Sequence, residues 1–169
     1  MSRRDNWITG RDNWITGEIM QYHGIVTHEG KQTLVEFPDA PGAQTFADPG
    51  EDIYELAKDA LEGWIEAHLA HGEAPSVPSK RRPHAPKGGE VIEVPISPAL
   101  GVRLALRWAR QDLGLSQADL AARVGVSRQQ ISALESPDAN IRLDTLEKVA
   151  SAMGMYVSVD LRPAAANAR

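Results

Sequence analysis

Apolar positions change their spacing several times along this chain, and each change marks an element. Gln21 to Thr27 and Thr33 to Phe37 alternate like half-buried strands around the turn-prone His28-Glu29-Gly30-Lys31, which predicts a β-hairpin. A third short strand, Ala43 to Ala47, follows the rigid Phe37-Pro38-Asp39-Ala40-Pro41-Gly42 run, which cannot continue a ladder. The spacing then becomes helical. Ile53, Leu56, Ala57, Ala60, Leu61, Trp64, Ile65 and Leu69 recur every three or four residues, so one stripe faces the sheet while Asp52, Glu55, Asp59, Glu62 and Glu66 face outward or flank the seam. Asp48 is the expected cap of this helix, with Pro49 in the first turn and Glu51 three residues on, and Gly72 is its expected stop.

Periodicity lapses from Glu73 to Gly89, where Pro75, Pro78, Pro83 and Pro86 alternate with Lys80, Arg81, Arg82 and Lys87. Such composition predicts a semi-stiff basic tether, with phosphate contact as the alternative use of its charge. A strand from Glu90 to Ile96 is expected next. Ser97 then caps a helix that begins with Pro98 and runs to about Asp112. A helix from about Leu143 to Met153, stopped by Gly154, and an alternating strand from Met155 to Leu161 end the pattern. The two flanking strands lack local hairpin mates, so they are expected to pair with each other or with a second copy.

Between these helices lies the most specific segment, Leu115 to Glu135. Ser116 stands three residues before Asp119 and Ser127 three before Gln130, so two capping boxes open two helices around a break at Gly125. Leu120, Ala121, Val124, Val126, Ile131 and Leu134 face a shared core, which leaves Gln117, Arg128, Gln129, Ser132 and Ala133 on outer surfaces. The second helix is thereby free to enter a groove of DNA. The pattern Ser-Gln-x-x-Leu-Ala-x-x-x-Gly-Val-Ser-x-x-x-Ile-Ser-x-x-Glu, unbroken from Ser116 to Glu135, resembles the helix-turn-helix of phage repressor and Cro-type regulators. That resemblance covers about Pro98 to Gly154. It implies that Arg128, Gln129 and Ala133 meet base edges while Gln117 and the helix start at Ser127 meet phosphates. Side-chain chemistry agrees at two positions, since Arg pairs with guanine O6 and N7 and Gln with adenine N6 and N7.

Charge divides the chain. Residues 1 to 79 hold 5 Lys and Arg against 14 Asp and Glu, whereas residues 80 to 169 hold 13 against 9, within a net charge of -5 overall. Opposite signs suggest two partners, one basic and one acidic. The absence of cysteine removes any disulfide framework or thiolate metal site. No run of signal-peptide or membrane-spanning length is found, so a cytoplasmic protein without a membrane partner is expected. Residues 4 to 10 and 11 to 17 are one heptad, Arg-Asp-Asn-Trp-Ile-Thr-Gly, copied without change. Perfect identity beside Met20 is the mark of a tandem duplication, and residues 1 to 19 are expected to be a dispensable tail.

The run from Met20-Gln21-Tyr22-His23 through Val35-Glu36-Phe37-Pro38-Asp39-Ala40-Pro41-Gly42, the helix around Ala-Lys-Asp-Ala-Leu-Glu-Gly-Trp, and Val91-Ile92-Glu93-Val94-Pro95 ahead of a repressor-type segment together resemble the HicB antitoxins. The likeness extends from Met20 to about Leu161, with departures at Ala47, where a glycine is common, and at Asp52-Ile53. It implies an α+β protein: a partial ribonuclease-H-like sheet and helix joined to a helix-turn-helix unit flanked by two short strands. The implied partners are a HicA-type toxin, which is a compact basic mRNA-cleaving protein, operator DNA, and a second copy in a homodimer or higher homo-oligomer. Glu36, Asp39, Asp52, Glu55, Asp59 and Glu62 are then the expected toxin contacts, a reading that charge complementarity supports independently. The expected boundaries are a tail at 1–19, a toxin-binding unit at 20–72, the tether at 73–89, a DNA-binding and dimerisation unit at 90–161, and a tail at 162–169.

No catalytic residue, metal or cofactor is expected. Glu36, Asp39 and Asp48 are the candidates for a nuclease centre, but a strand, a rigid turn and a cap use them otherwise. His68 and His71 share a helix face without an evident third ligand. Arg103, Arg107 and Arg110 form a basic stripe that suits phosphate contact or plain solvation equally. A transcription factor with a sensing N-terminal unit and no toxin partner is the rival reading.

Overall fold

The computed structural model describes residues 20–159, so the duplicated heptads, the final residues of the expected C-terminal strand and the tail at 162–169 lie outside the described residues. Four strands and five helices follow in the order β1 (Gln21–Glu29), β2 (Gln32–Glu36), β3 (Gln44–Ala47), α1 (Ile53–Ala70), β4 (Glu90–Pro95), α2 (Pro98–Asp112), α3 (Gln117–Val124), α4 (Arg128–Leu134) and α5 (Leu143–Ala152). The molecule is therefore α+β, with one antiparallel sheet in the order β3-β2-β1-β4. The hairpin forms as expected. Glu29 pairs with Gln32 across a two-residue turn whose first residue, Gly30, has φ +65°, a conformation that a side chain would strain.

Period-two alternation decides which sheet face meets α1. Tyr22, Val26, Val35 and Val94 point to the core, where they meet Ala57, Leu61, Ile65 and Leu69 from the stripe of α1. Gly24 lies on that same face because space is short there. A Cβ at Gly24 would sit 3.0 Å from Val35 Cγ1 and 3.2 Å from Ile92 Cγ1. Its absence lets the neighbouring strands fill the layer.

The start of α1 differs from the sequence expectation. Asp48, Pro49, Gly50 and Glu51 form a turn, in which Glu51 N donates to Asp48 O and Glu51 Oε2 accepts from Asp48 N at 2.8 Å. Gly50 has φ +97°, which no helix can absorb, so the helix starts later and Asp52 caps it by accepting from Tyr54 N at 2.9 Å.

A second correction changes how the two halves relate. The strand expected to open the C-terminal half, β4, instead pairs along its length with β1, from Gln21 against Pro95 to Val26 against Glu90. Pairing with the strand expected at Met155 to Leu161 or with a second copy is the expectation from sequence, but β1 of the same chain takes the strand in an apolar register that sets Tyr22 beside Val94. Met155 to Val159, the described part of the other expected strand, forms no ladder. Helix α2 then serves two cores at once. Leu100, Leu104 and Trp108 belong to the sheet core, whereas Leu106 and Ala109 pack with Leu120, Ala121, Val124, Ile131, Val149 and Met153 in a second core.

Residues 73–89, expected as a solvated tether, are tied to the body. Trp108 Nε1 donates to Pro75 O at 2.7 Å, Ser79 N to Asp39 Oδ2 at 2.8 Å and Arg82 Nη2 to Val91 O at 2.8 Å. The Arg82 bond occupies a carbonyl of β4, an outer strand of the sheet. Proline-rich composition reports poor ladder-forming capacity, and it does not report whether neighbouring side chains satisfy the exposed backbone. No helix among the described residues is long and apolar enough to cross a membrane.

Candidate nucleic-acid interface and acidic faces

The helix-turn-helix is built from local signals that all take effect. Ser116 Oγ accepts from Asp119 N at 3.1 Å while Asp119 Oδ2 accepts from Ser116 N at 2.9 Å, closing the first capping box. The Ser116 hydroxyl, which donates to Asp119 Oδ2 at 2.6 Å, and after it the Ser116 backbone N–H hold the Asp119 carboxyl below the usual carboxylate range. Gly125 ends α3 at φ +76°, and Ser127 with Gln130 repeats the box at the start of α4, at 3.2 and 2.9 Å. One glycine and two reciprocal caps therefore fix the angle between the helices.

Ile131 is buried beneath α4, which sends Arg128, Gln129, Ser132 and Ala133 to solvent on its other side. Ser127 is exposed at the helix start and keeps its hydroxyl hydrogen for an outside acceptor, its oxygen being used by Gln130 N. Gln117 is different. Its Nε2 donates to Glu135 Oε2 at 3.0 Å and the residue is half-buried, so its amide is oriented from within while one edge remains available.

The partner in that bond is the residue that sequence reasoning missed. Glu135, 2% exposed, accepts from Arg110 Nε and Nη2 at 2.6 and 2.9 Å and lies 3.4 Å from Arg107 Nε. Arg107 and Arg110 are themselves buried, at 3% and 9% exposure, so the supposed basic stripe offers no phosphate contact there. Arg103 donates twice to Ala139 O, at 3.2 and 2.7 Å. Burial lowers the pKa of Arg107, with Glu135 opposing that shift and Arg110 adding to it. The signal was available: Glu135 falls four residues after Ile131 on the buried side of the helix, and Arg107 stands in the apolar stripe between Leu104 and Trp108. A charge in an apolar stripe asks for a partner of opposite sign.

The six acidic residues expected to contact a toxin do not form one face. Glu62 Oε1 accepts from Ser97 N at 2.6 Å, so this carboxylate caps α2, where Ser97 makes no side-chain cap bond of its own. Asp39 holds Ser79 N and Asp52 holds the start of α1. Glu55 and Asp59 are exposed on the outer side of α1, whereas Glu36 is exposed on the sheet face opposite that helix, between buried Val35 and Phe37. Asp48 accepts from Gln32 Nε2 at 2.9 Å, and Glu36, Asp39 and Asp48 do not converge into a metal-holding group. His68 and His71 each bond a carbonyl one turn earlier through Nδ1, to Trp64 O and Ala67 O.

An exposed second helix held by two caps and an internal ion pair, carried on a chain with an additional sheet-and-helix unit, defines a helix-turn-helix protein with an appended domain. Comparison supports the class, since the helix-turn-helix family matches residues 106–159. Antitoxin HicB 1 of Photorhabdus laumondii is 32% identical over 128 residues, covering 76% of this chain and 77% of that protein. Antitoxin HicB of Escherichia coli K12 is 29% identical over 126 residues, 75% of this chain and 87% of its own length. An uncharacterized HTH-type transcriptional regulator of Methanothermobacter thermautotrophicus is 43% identical over 53 residues, which is 31% of this chain. The chain belongs to the HicB antitoxin family.

Proposed function

We propose that this chain is the antitoxin of a HicAB-type pair, silencing a basic mRNA-cleaving toxin through its sheet-and-helix unit and repressing its own operon through α4. One observation carries the reading: the likeness to HicB antitoxins runs through both the sheet unit and the helix-turn-helix, and α4 presents Arg128, Gln129, Ser132 and Ala133 to solvent. The sheet-and-helix unit takes the role of the partial ribonuclease-H-like domain. Ser127 and Gln117 meet phosphates, Arg128 and Gln129 read base edges, and two copies place two recognition helices on a palindrome.

Among the acidic residues, Glu55 and Asp59 are the free carboxylates on α1, and with Glu66 they give the outer surface of that helix its negative charge. They steer the basic toxin toward it, while Glu36 serves the other face of the sheet. Asp39, Asp52 and Glu62 shape the unit. Co-expression with the product of the neighbouring gene, which the reading expects to be a short basic protein, followed by growth and pull-down assays, tests the reading. Rescue of growth that is lost in a Glu55→Lys, Asp59→Lys variant supports it. Operator binding without any such partner returns the chain to a sensing transcription factor.

A further inference from the structure

We propose that Arg107 is a positioning residue that ties the sheet-and-helix unit to the recognition helix, so that events at one are felt at the other. Its guanidinium divides its bonds between the two units. Nη1 donates to Glu73 O at 2.7 Å, and both terminal nitrogens lie 3.5 Å from Leu69 O, at the end of α1. Nη2 donates to Glu135 O at 3.0 Å, at the C-terminal cap of α4, and Nε stands 3.4 Å from the Glu135 carboxylate. Arg107 thus holds the last turn of α1 and the last turn of α4 in one planar fork, 3% exposed to water.

Its neighbour shows why the placement is specific. Arg110, one turn further along α2, reaches only Glu135 and Leu115 O, both in the second unit. Trp108 reaches Pro75 O and packs in the first core. An apolar side chain in place of Arg107 would fill the volume without desolvating a charge, whereas the guanidinium bonds carbonyls of both units and discriminates against any other relative placement. Rotation of α2 between its two cores would separate those carbonyls. The unit that meets a protein partner and the helix that meets DNA are therefore one mechanical body, and linkage makes any coupling between them reciprocal. This deepens the reading of α4 as the DNA-reading helix.

Native-state hydrogen exchange on the full chain decides it. Glu135 N, bonded to Ile131 O, reports α4, while Gly72 N and Glu73 N, bonded to Leu69 O and His68 O, report the end of α1. Arg107→Met is expected to lower protection tenfold or more at both places together while the β1–β2 amides keep theirs. Arg110→Met is expected to loosen α4 and leave residues 72 and 73 unchanged. Arg107→Lys keeps the charge but not the fork and should behave as Arg107→Met does, and unchanged protection of the β1–β2 amides in both variants separates this local effect from a global loss of structure. In a second arm, a duplex carrying the DNA upstream of the gene is added to the wild-type chain, and protection should rise at Glu135 and at Gly72 and Glu73; in Arg107→Lys the rise should stop at α4. Independent responses of the two sites to Arg107 substitution overturn the proposal, as does equal spread to residues 72 and 73 from Arg110→Met. A duplex that leaves α4 itself unprotected refutes instead the DNA reading of α4, and the variants without DNA still decide the bridge.

Discussion

Replacing Glu135 by Ala isolates the interior charge cluster that fixes the recognition helix. The carboxylate is 2% exposed and accepts from Arg110 at 2.6 and 2.9 Å and from Gln117 at 3.0 Å, with Arg107 3.4 Å away. Its removal leaves two guanidiniums buried without a counter-charge. Arg110 keeps Leu115 O and Arg107 keeps backbone carbonyls, so neither is fully orphaned, but carbonyl dipoles offset much less than a carboxylate does. Breaking a buried pair by deleting one partner costs about 3 to 5 kcal/mol. A small two-state domain has only about 5 to 15 kcal/mol in all, so the variant should lose a large share of its stability. Urea unfolding followed by circular dichroism measures this directly, with the slope of the transition checked for constancy. Replacing Arg110 by Met and Glu135 by Leu together should recover the part of the loss that falls on Arg110, since matched apolar groups remove the desolvation penalty of that pair, while Arg107 stays without its counter-charge. A cost below about 1 kcal/mol for Glu135→Ala, the range of solvent-exposed pairs, would show that water reaches the cluster and would refute the reasoning.

Further outcomes follow from the same geometry. Arg128→Ala should weaken binding to the upstream DNA by about 1 to 3 kcal/mol and relax base preference at one position, which footprinting over a set of single-base variants reads; unchanged preference removes Arg128 from the reading set. Gly24→Val places a branched side chain where Val35 and Ile92 already crowd a Cβ, and overpacking of this kind costs about 1 to 3 kcal/mol in unfolding free energy. The Asp119 carboxyl titrates below its ordinary value because Ser116 bonds its ionised form. Its contribution is therefore complete above the unfolded carboxylate range and disappears as pH falls through the lower folded value, so acid titration of stability below about pH 4 should be shallower in Asp119→Asn.

What was legible in the sequence is what local rules decide. Capping boxes at Ser116 and Ser127, the glycine break at Gly125, the hairpin turn at Gly30 and the stripe of α1 each depend on residues within one or two turns of one another, and each formed where expected. The misplaced features depend on distant partners. Whether β4 pairs with β1 is settled by Tyr22 against Val94, more than seventy positions apart, and alternation within Glu90 to Ile96 says nothing about that choice. Likewise, nothing local tells that Glu62 will cap Ser97 across 35 positions or that Asp39 will hold Ser79 across 40. Acidity counted along the chain does not tell which carboxylates stay free, and three of the six expected toxin contacts are consumed by backbone amides. The start of α1 is a nearer miss. Asp-Pro-Gly-Glu-Asp offers two caps, and the positive φ of Gly50 selects the second.

The sharing of α2 bears on whether the two activities can be divided by cutting the chain. Composition invites a cut in the proline-rich stretch, with Met20 to Pro78 expected to bind toxin and Glu90 to Arg169 to bind DNA. The structure opposes that division. Val94, Ile96, Leu100, Leu104 and Trp108, all nearly buried in the sheet core, come from beyond the cut. Each such side chain is worth about 1.5 to 3 kcal/mol of burial, so their joint loss is on the order of 10 kcal/mol, comparable with the whole stability of a small domain. The fragment 20–78 also loses β4, leaving β1 unpaired along one side. It should therefore fail to unfold cooperatively and should associate at micromolar concentration, while 20–112, which keeps β4 and α2, should show a single unfolding transition. The fragment 90–169 retains Leu106 and Ala109 for the second core but exposes Leu100, Leu104 and Trp108, and it should be prone to self-association unless those three are made polar. Calorimetry and sedimentation on the three fragments provide the comparison. A cooperative, monomeric 20–78 would show that the sheet and α1 suffice by themselves, and would reduce α2 from a shared element to a peripheral one.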